Sequence, residues 1–109
     1  MNLLQGTLDL LVLKALVVGP RHGYEVARWV RDTTEGTLQV DDGALYTALH
    51  RLEKRKLVQA EWGVAETGRR ARFYSLTRTG KAEMARETQA WTSYVEAVFK
   101  ILQAAEAVA

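Results

Sequence analysis

The chain has 109 residues, 48% of them hydrophobic and 26% charged, the balance of one soluble globular domain rather than a disordered segment. It contains no cysteine, which excludes disulfides and thiolate metal sites. The formal net charge is only +2, yet residues 44–81 hold nine Lys/Arg against three Glu, a local +6, while the remainder holds six basic and ten acidic groups, a local −4. A basic middle between acidic flanks is the footprint of a localised polyanion-binding surface, with a solvated charged face as the alternative for any single run.

The opening M-N-L-L-Q-G-T lacks the positive region of a signal peptide, and no apolar run reaches the length of a membrane span. A cytoplasmic protein without a membrane partner is therefore expected. The first element, G-T-L-D-L-L-V-L-K-A-L-V-V-G-P, is apolar on nearly every side. Thr7 is expected to cap a helix here, with Asp9 in its first turn and Gly19-Pro20 ending it. A buried strand is the alternative, but the length of the run and the interior Lys14 and Ala15 favour a central core helix. The next stretch, from Arg21 to Gly36, reads as a second helix with a mixed face carrying Tyr24, Val26, Ala27, Trp29 and Val30. His22 reads as a helix-start residue.

The third element is V-D-D-G-A-L-Y-T-A-L-H-R-L-E-K-R-K at 40–56. At about 100° per residue, Leu45, Ala48, Leu49 and Leu52 share one stripe, and Gly43, Thr47, His50 and Lys54 share the opposite one. An aspartate stands just before the pattern, where its carboxylate can accept backbone N–H bonds. One face is built for burial; the other is small at its start and basic at its end, as suits a helix laid against nucleic acid. An ordinary amphipathic surface helix is the alternative on this stretch alone.

After Lys56 the period changes to alternation. Val58, Ala60 and Trp62 fall on one side of a strand, V-A-E-T-G-R-R makes a turn with Gly68 at positive φ, and A-R-F-Y-S-L-T returns. Three helices followed by a hairpin with Arg69, Arg70 and Arg72 at its tip and returning arm make a winged helix-turn-helix. Thr77 then caps a last helix running to about Ala105, with a heptad-like seam through Met84, Trp91, Tyr94, Val95, Val98, Ile101 and Leu102. That seam is too long for so small a body, so pairing with a second copy is expected, the alternative being a helix folded back on its own core. The expected fold is thus mainly α with a small β-hairpin: a winged helix-turn-helix DNA-binding domain over 1–77 and a dimerisation helix over 78–109. The Ala-rich end at 104–109 is expected to fray.

Four pieces of the chain, G-T-L-D-L-L-V-L-K-A-L at 6–16, G-P-R-H-G-Y-E-V-A at 19–27, G-A-L-Y-T-A-L-H-R-L-E at 43–53 and Y-S-L-T-R-T-G at 74–80, resemble PadR-family transcriptional regulators of the short kind with a single C-terminal helix. Each piece is weak alone, but their order and spacing span almost the whole chain. The resemblance implies a dimeric repressor bound to a palindromic operator in double-stranded DNA. The chain departs from the family pattern at Thr47, often proline in relatives, at Ala44, often Ser or Thr, and at Lys56, commonly a C-capping glycine. Lys56 would have to accept a left-handed backbone at a cost of about 1 kcal/mol.

On this reading the third helix enters the major groove. Gly43 allows close approach, Tyr46 donates its hydroxyl to a phosphate, Thr47, His50 and Arg51 lie near base edges or backbone, and Lys54 and Arg55 supply charge without sequence information. Arg69, Arg70 and Arg72 contact phosphates or enter the adjacent minor groove. Tyr46 packing against the wing, His50 as a plain surface residue and a solvated hairpin tip are the structural alternatives. Trp29 and Trp62 read as core or edge-of-core residues. Trp91 lies on the seam, where packing competes with a role in binding a small aromatic effector, as the resemblance to ligand-responsive relatives implies.

Other classes fit less well. His22 and His50 lie far apart, Ser75 and Ser93 sit in no nucleophile motif, and there is no phosphate-cradling glycine loop, so neither enzyme chemistry nor a cofactor or metal is expected. A winged-helix module for protein contact is the main alternative. It would need an apolar exposed face on the third helix, where this chain has a polar and basic one.

Overall fold

The computed structural model describes residues 5–105. Seven elements follow one another: α1 (Gln5–Ala15), β1 (Arg21–His22), α2 (Gly23–Thr33), α3 (Asp42–Lys54), β2 (Val58–Val64), β3 (Arg70–Leu76) and α4 (Arg78–Leu102).

The apolar run of α1 makes it the hub of the core, packed against α2, α3 and α4. Leu8, Val12, Leu13, Ala15 and Leu16 are buried, so the helix is covered on more than one side, as its composition requires. Two expectations at its start need correction. The helix is already formed at Gln5, so Thr7 lies inside it rather than capping it. Asp9 is buried, 7% exposed, and faces Arg51 of α3 instead of serving the helix dipole. Past Ala15 the chain tightens through turns closed by Leu16 N–H to the Leu13 carbonyl and Val17 N–H to the Lys14 carbonyl.

His22 caps α2 in a reciprocal arrangement: its Nδ1 accepts from the Glu25 N–H, and the Glu25 carboxylate accepts from the His22 N–H, both at 3.3 Å. Arg21 and His22 also form a short strand paired with Tyr74 and Phe73 of β3, which makes the sheet three-stranded in the order β1-β3-β2. Two residues carry no alternation, so only the partner strand defines this element.

The burial stripe of α3 is the expected one: Leu45, Ala48, Leu49 and Leu52 are buried and the Asp41 carboxylate accepts from the Ala44 N–H at 3.1 Å. Burying each such leucine contributes roughly 2 kcal/mol. Lys56 takes the left-handed backbone its place demands, at φ 61°. The hairpin pairs Val58 with Leu76 through Val64 with Arg70, and Gly68 turns it at φ 83°, its N–H donating to the Ala65 carbonyl at 2.8 Å. Val58 is buried and Ala60 half-buried, but Trp62, on the same side of the strand, is 63% exposed because the ribbon has by then run past the body. The expectation of Trp62 in or beside the core is therefore wrong. Trp29 does pack against the core, with Arg21 over its ring.

Thr77 caps α4 as expected. Its hydroxyl accepts from the Gly80 N–H at 3.0 Å and donates to the Lys56 carbonyl at 2.7 Å, while its own N–H donates to the Leu57 carbonyl at 3.1 Å. The end of α3, the start of β2 and the start of α4 are thereby joined at one point. Met84 packs on the core. Beyond it α4 leaves the body, giving the molecule a long axis of 65 Å, and ends at Leu102, three residues short of the expected Ala105.

Candidate nucleic-acid interface

The outer stripe of α3 is open. Gly43, Tyr46, Thr47, His50 and Lys54 are all exposed, and Arg55 follows them at the C-cap. A shallow hollow of about 600 Å³ runs along this stripe, between Tyr46, Thr47, His50, Arg51, Lys54 and Tyr74. Tyr46 does two things at once. Its ring lies over Gly23 at the start of α2, close enough that a Cβ there would meet it at 3.1 Å, and the residue still keeps 55% of its surface exposed. It neither packs against the wing alone nor stands free.

A second, larger cleft of about 1000 Å³ opens between the start of α2, Tyr46 and the hairpin. Tyr24 and Trp62 line it, each more than 60% exposed. Guanidinium groups lie over both rings: Arg28 over Tyr24 at 5.5 Å and Arg70 over Trp62 at 4.9 Å. Arg69 completes the basic rim. Sequence reasoning did not single out Tyr24, Arg28 or Trp62 for this surface. The 24/28 pair sits at i, i+4 on the side of α2 away from Val26 and Val30, a signal that was present but was read as part of a mixed face.

The cations of this surface divide into two sets. Arg51 makes a two-pronged ion pair with Asp9: its Nε donates to Oδ2 at 3.2 Å and its Nη2 to Oδ1. The Asp9 hydrogen bond raises the Arg51 pKa, outweighing the lowering effect of burial, and the Asp9 charge adds to the rise. Arg72 is likewise forked onto Glu53, Nη1 to Oε1 at 3.2 Å and Nη2 to Oε2 at 2.9 Å. Desolvation lowers the Arg72 pKa, but the hydrogen bonds and charge of Glu53, with a smaller contribution from Tyr74, leave it raised. Lys54, Arg55, Arg69 and Arg70 have no carboxylate within salt-bridge distance among the described residues. Of the ten residues expected to face DNA, Arg51 and Arg72 are thus held by the protein's own carboxylates, and the remaining eight stand exposed.

The proposed seam of α4 is also exposed for most of its length. Trp91 is 46%, Val98 39% and Ile101 77% exposed, Tyr94 and Leu102 are similarly open, and Val95 is half-buried. Met84 differs, since it belongs to the core. Phe99, 53% exposed, joins the open set and was missed because it falls between the seam positions. Among the described residues no helix is long and apolar enough to cross a membrane, and no group of His, Asp and Glu is placed to hold a metal ion.

A helix-turn-helix, a hairpin wing beside its third helix and a long closing helix define a winged-helix regulator. The model of the transcriptional regulator PadR-like family matches residues 12–86, and the chain belongs to that family. Among solved structures, a transcriptional regulator from Clostridium thermocellum is 26% identical, with 91% of this chain and 93% of that one covered and a TM-score of 0.82. A PadR family transcription regulator from Clostridium difficile is 28% identical over 87% of this chain and 97% of that one, with a TM-score of 0.75. An uncharacterized protein from Lysinibacillus sphaericus is 26% identical over 105 residues, 96% of each chain.

Proposed function

We propose that this transcriptional regulator is a sequence-specific repressor that binds double-stranded DNA as a homodimer, with residues 1–77 as the reading domain and 78–109 as the pairing helix. The observation that carries this reading is the placement of unpaired cations and small polar groups on one face: Gly43, Thr47, His50 and Lys54 along α3 and Arg69 and Arg70 on the adjacent hairpin. A helix of this width fits the major groove, and the wing then meets the neighbouring backbone or minor groove. Thr47 and His50 are assigned to base edges, Tyr46, Lys54, Arg55, Arg69 and Arg70 to phosphates. Arg51 and Arg72 are each fixed by a carboxylate that takes two of the five guanidinium N–H groups and offsets the charge, so they are assigned a secondary part, through the donors left free.

The open apolar stretch of α4 supports the second half of the proposal. A run holding Trp91, Tyr94, Val98, Phe99, Ile101 and Leu102 in solvent is costly for a monomer, and a two-fold pairing covers it. Trp91 belongs to this pairing stretch, and contact there with a small aromatic effector that relieves repression is a second reading, which the family resemblance implies. The alternative, a module for protein contact, is disfavoured by the polar and basic outer stripe of α3.

The test is binding to a labelled duplex carrying the gene's own upstream region, against random competitor, at two salt concentrations. Competitor-resistant binding that weakens steeply with salt supports the reading. Equal, weak binding to both duplexes counts against it.

A further inference from the structure

We infer that Glu53, an acidic residue on the basic face, is a positioning residue for DNA recognition: through Arg72 it fixes the angle between the hairpin and α3. The inference rests on the DNA-binding reading above. At the body end, the hairpin is held by the buried Val58 and Tyr74 and by pairing of β3 with Arg21 and His22. Farther out, Trp62 faces Arg72 across the ribbon, followed by Gly63 facing Ala71 and Val64 facing Arg70. These outer positions lack a third strand, and Trp62 and Val64 are 63% and 67% exposed. Among the described residues, the forked bonds from Arg72 to Glu53 are the outermost hydrogen bonds between the hairpin and the body. A two-stranded ribbon is a soft element, and a bidentate guanidinium–carboxylate pair fixes both distance and plane. The pair acts as a stay between wing and reading helix, and it keeps Arg69 and Arg70 at a set offset from Thr47 and His50.

This role makes a prediction opposite in sign to simple electrostatics. If Glu53 were only a negative charge near a polyanion, removing it would strengthen binding to every duplex. If it sets the wing angle, Glu53→Gln weakens binding to the preferred duplex while leaving binding to scrambled DNA equal or stronger.

The experiment first enriches a duplex from a random library with the wild-type protein, then measures affinity for that duplex and a scrambled one. Failure of the wild type to enrich any sequence would refute the DNA-binding reading itself. Given enrichment, Glu53→Gln and Arg72→Gln are each expected to lower the preferred-to-scrambled ratio about tenfold, and the exchanged pair Glu53→Arg with Arg72→Glu to recover much of it. Backbone amide relaxation of residues 63–71, measured without DNA, gives an independent readout, with larger motion expected in both single variants. An affinity gain on both duplexes in Glu53→Gln, or unchanged wing relaxation, overturns the inference.

Discussion

Gly80 lays its bare Cα against the backbone carbonyl of Leu57, so that a Cβ at this position would collide with the carbonyl oxygen. Helix propensity alone would make alanine better here by about 1 kcal/mol. The clash is with backbone that Thr77 already pins from two sides, so it wins. Gly80→Ala is expected to destabilise the fold by about 2 kcal/mol net, read as a lowered thermal midpoint.

Gly43 gives the contrasting case. A Cβ there would meet only the Asp41 carboxylate, at 3.2 Å, on an otherwise open face. Gly43→Ala is expected to leave stability within about 0.5 kcal/mol of wild type while weakening DNA binding by close-approach loss. Unchanged DNA affinity would remove Gly43 from the interface.

Lys56 at φ 61° carries backbone strain that glycine does not. Lys56→Gly is expected to stabilise the protein by about 0.5–1 kcal/mol in chemical denaturation.

Asp9→Ala strands the Arg51 guanidinium in a half-buried site, at a cost of about 2 kcal/mol. The pH dependence follows from the raised Arg51 pKa. A group whose pKa rises on folding contributes stability below its unfolded value and loses it only as pH climbs through the folded one. The Arg51 side of the pair therefore stays charged across the neutral and mildly alkaline range. The stability gap between wild type and Arg51→Met should stay flat from about pH 7 to pH 10, and urea titrations across that window check it.

Removing Arg69 or Arg70 should reduce the slope of log affinity against log salt by about 1 each, uniformly over sequences. On α4, Val98→Asp with Ile101→Asp should convert a dimer to a monomer in sedimentation, with little change in the helix content of the reading domain.

Legibility in the sequence followed the range of the interactions. The buried stripe of α3, the Thr77 cap and the turn at Gly68 all rest on residues a few positions apart, and periodicity or turn chemistry reveals them, whereas the left-handed Lys56 is legible only through the family resemblance. β1 could not be read, because two residues become a strand only when Tyr74 and Phe73 lie beside them. Nor could the ion pairs of Arg51 and Arg72, whose partners are 42 and 19 residues away. Trp62 misled for a related reason: alternation says which side a residue faces, but not whether the body extends far enough to cover it.

The junction of Thr77 with the Lys56 and Leu57 backbone ties the direction of α4 to the end of α3. α4 sets out from the end of α3 in a fixed direction, so if two copies pair through α4 as proposed, its length and phase act as a ruler between the two α3 helices of the pair. Inserting a single residue beyond Met84 would swing the open stretch by about 100° and ruin its mating face, whereas inserting seven would restore the phase and lengthen the ruler by about 10 Å. On the proposed dimeric reading, half-site spacing is then re-tuned by whole heptads without altering a single residue of the outer stripe of α3.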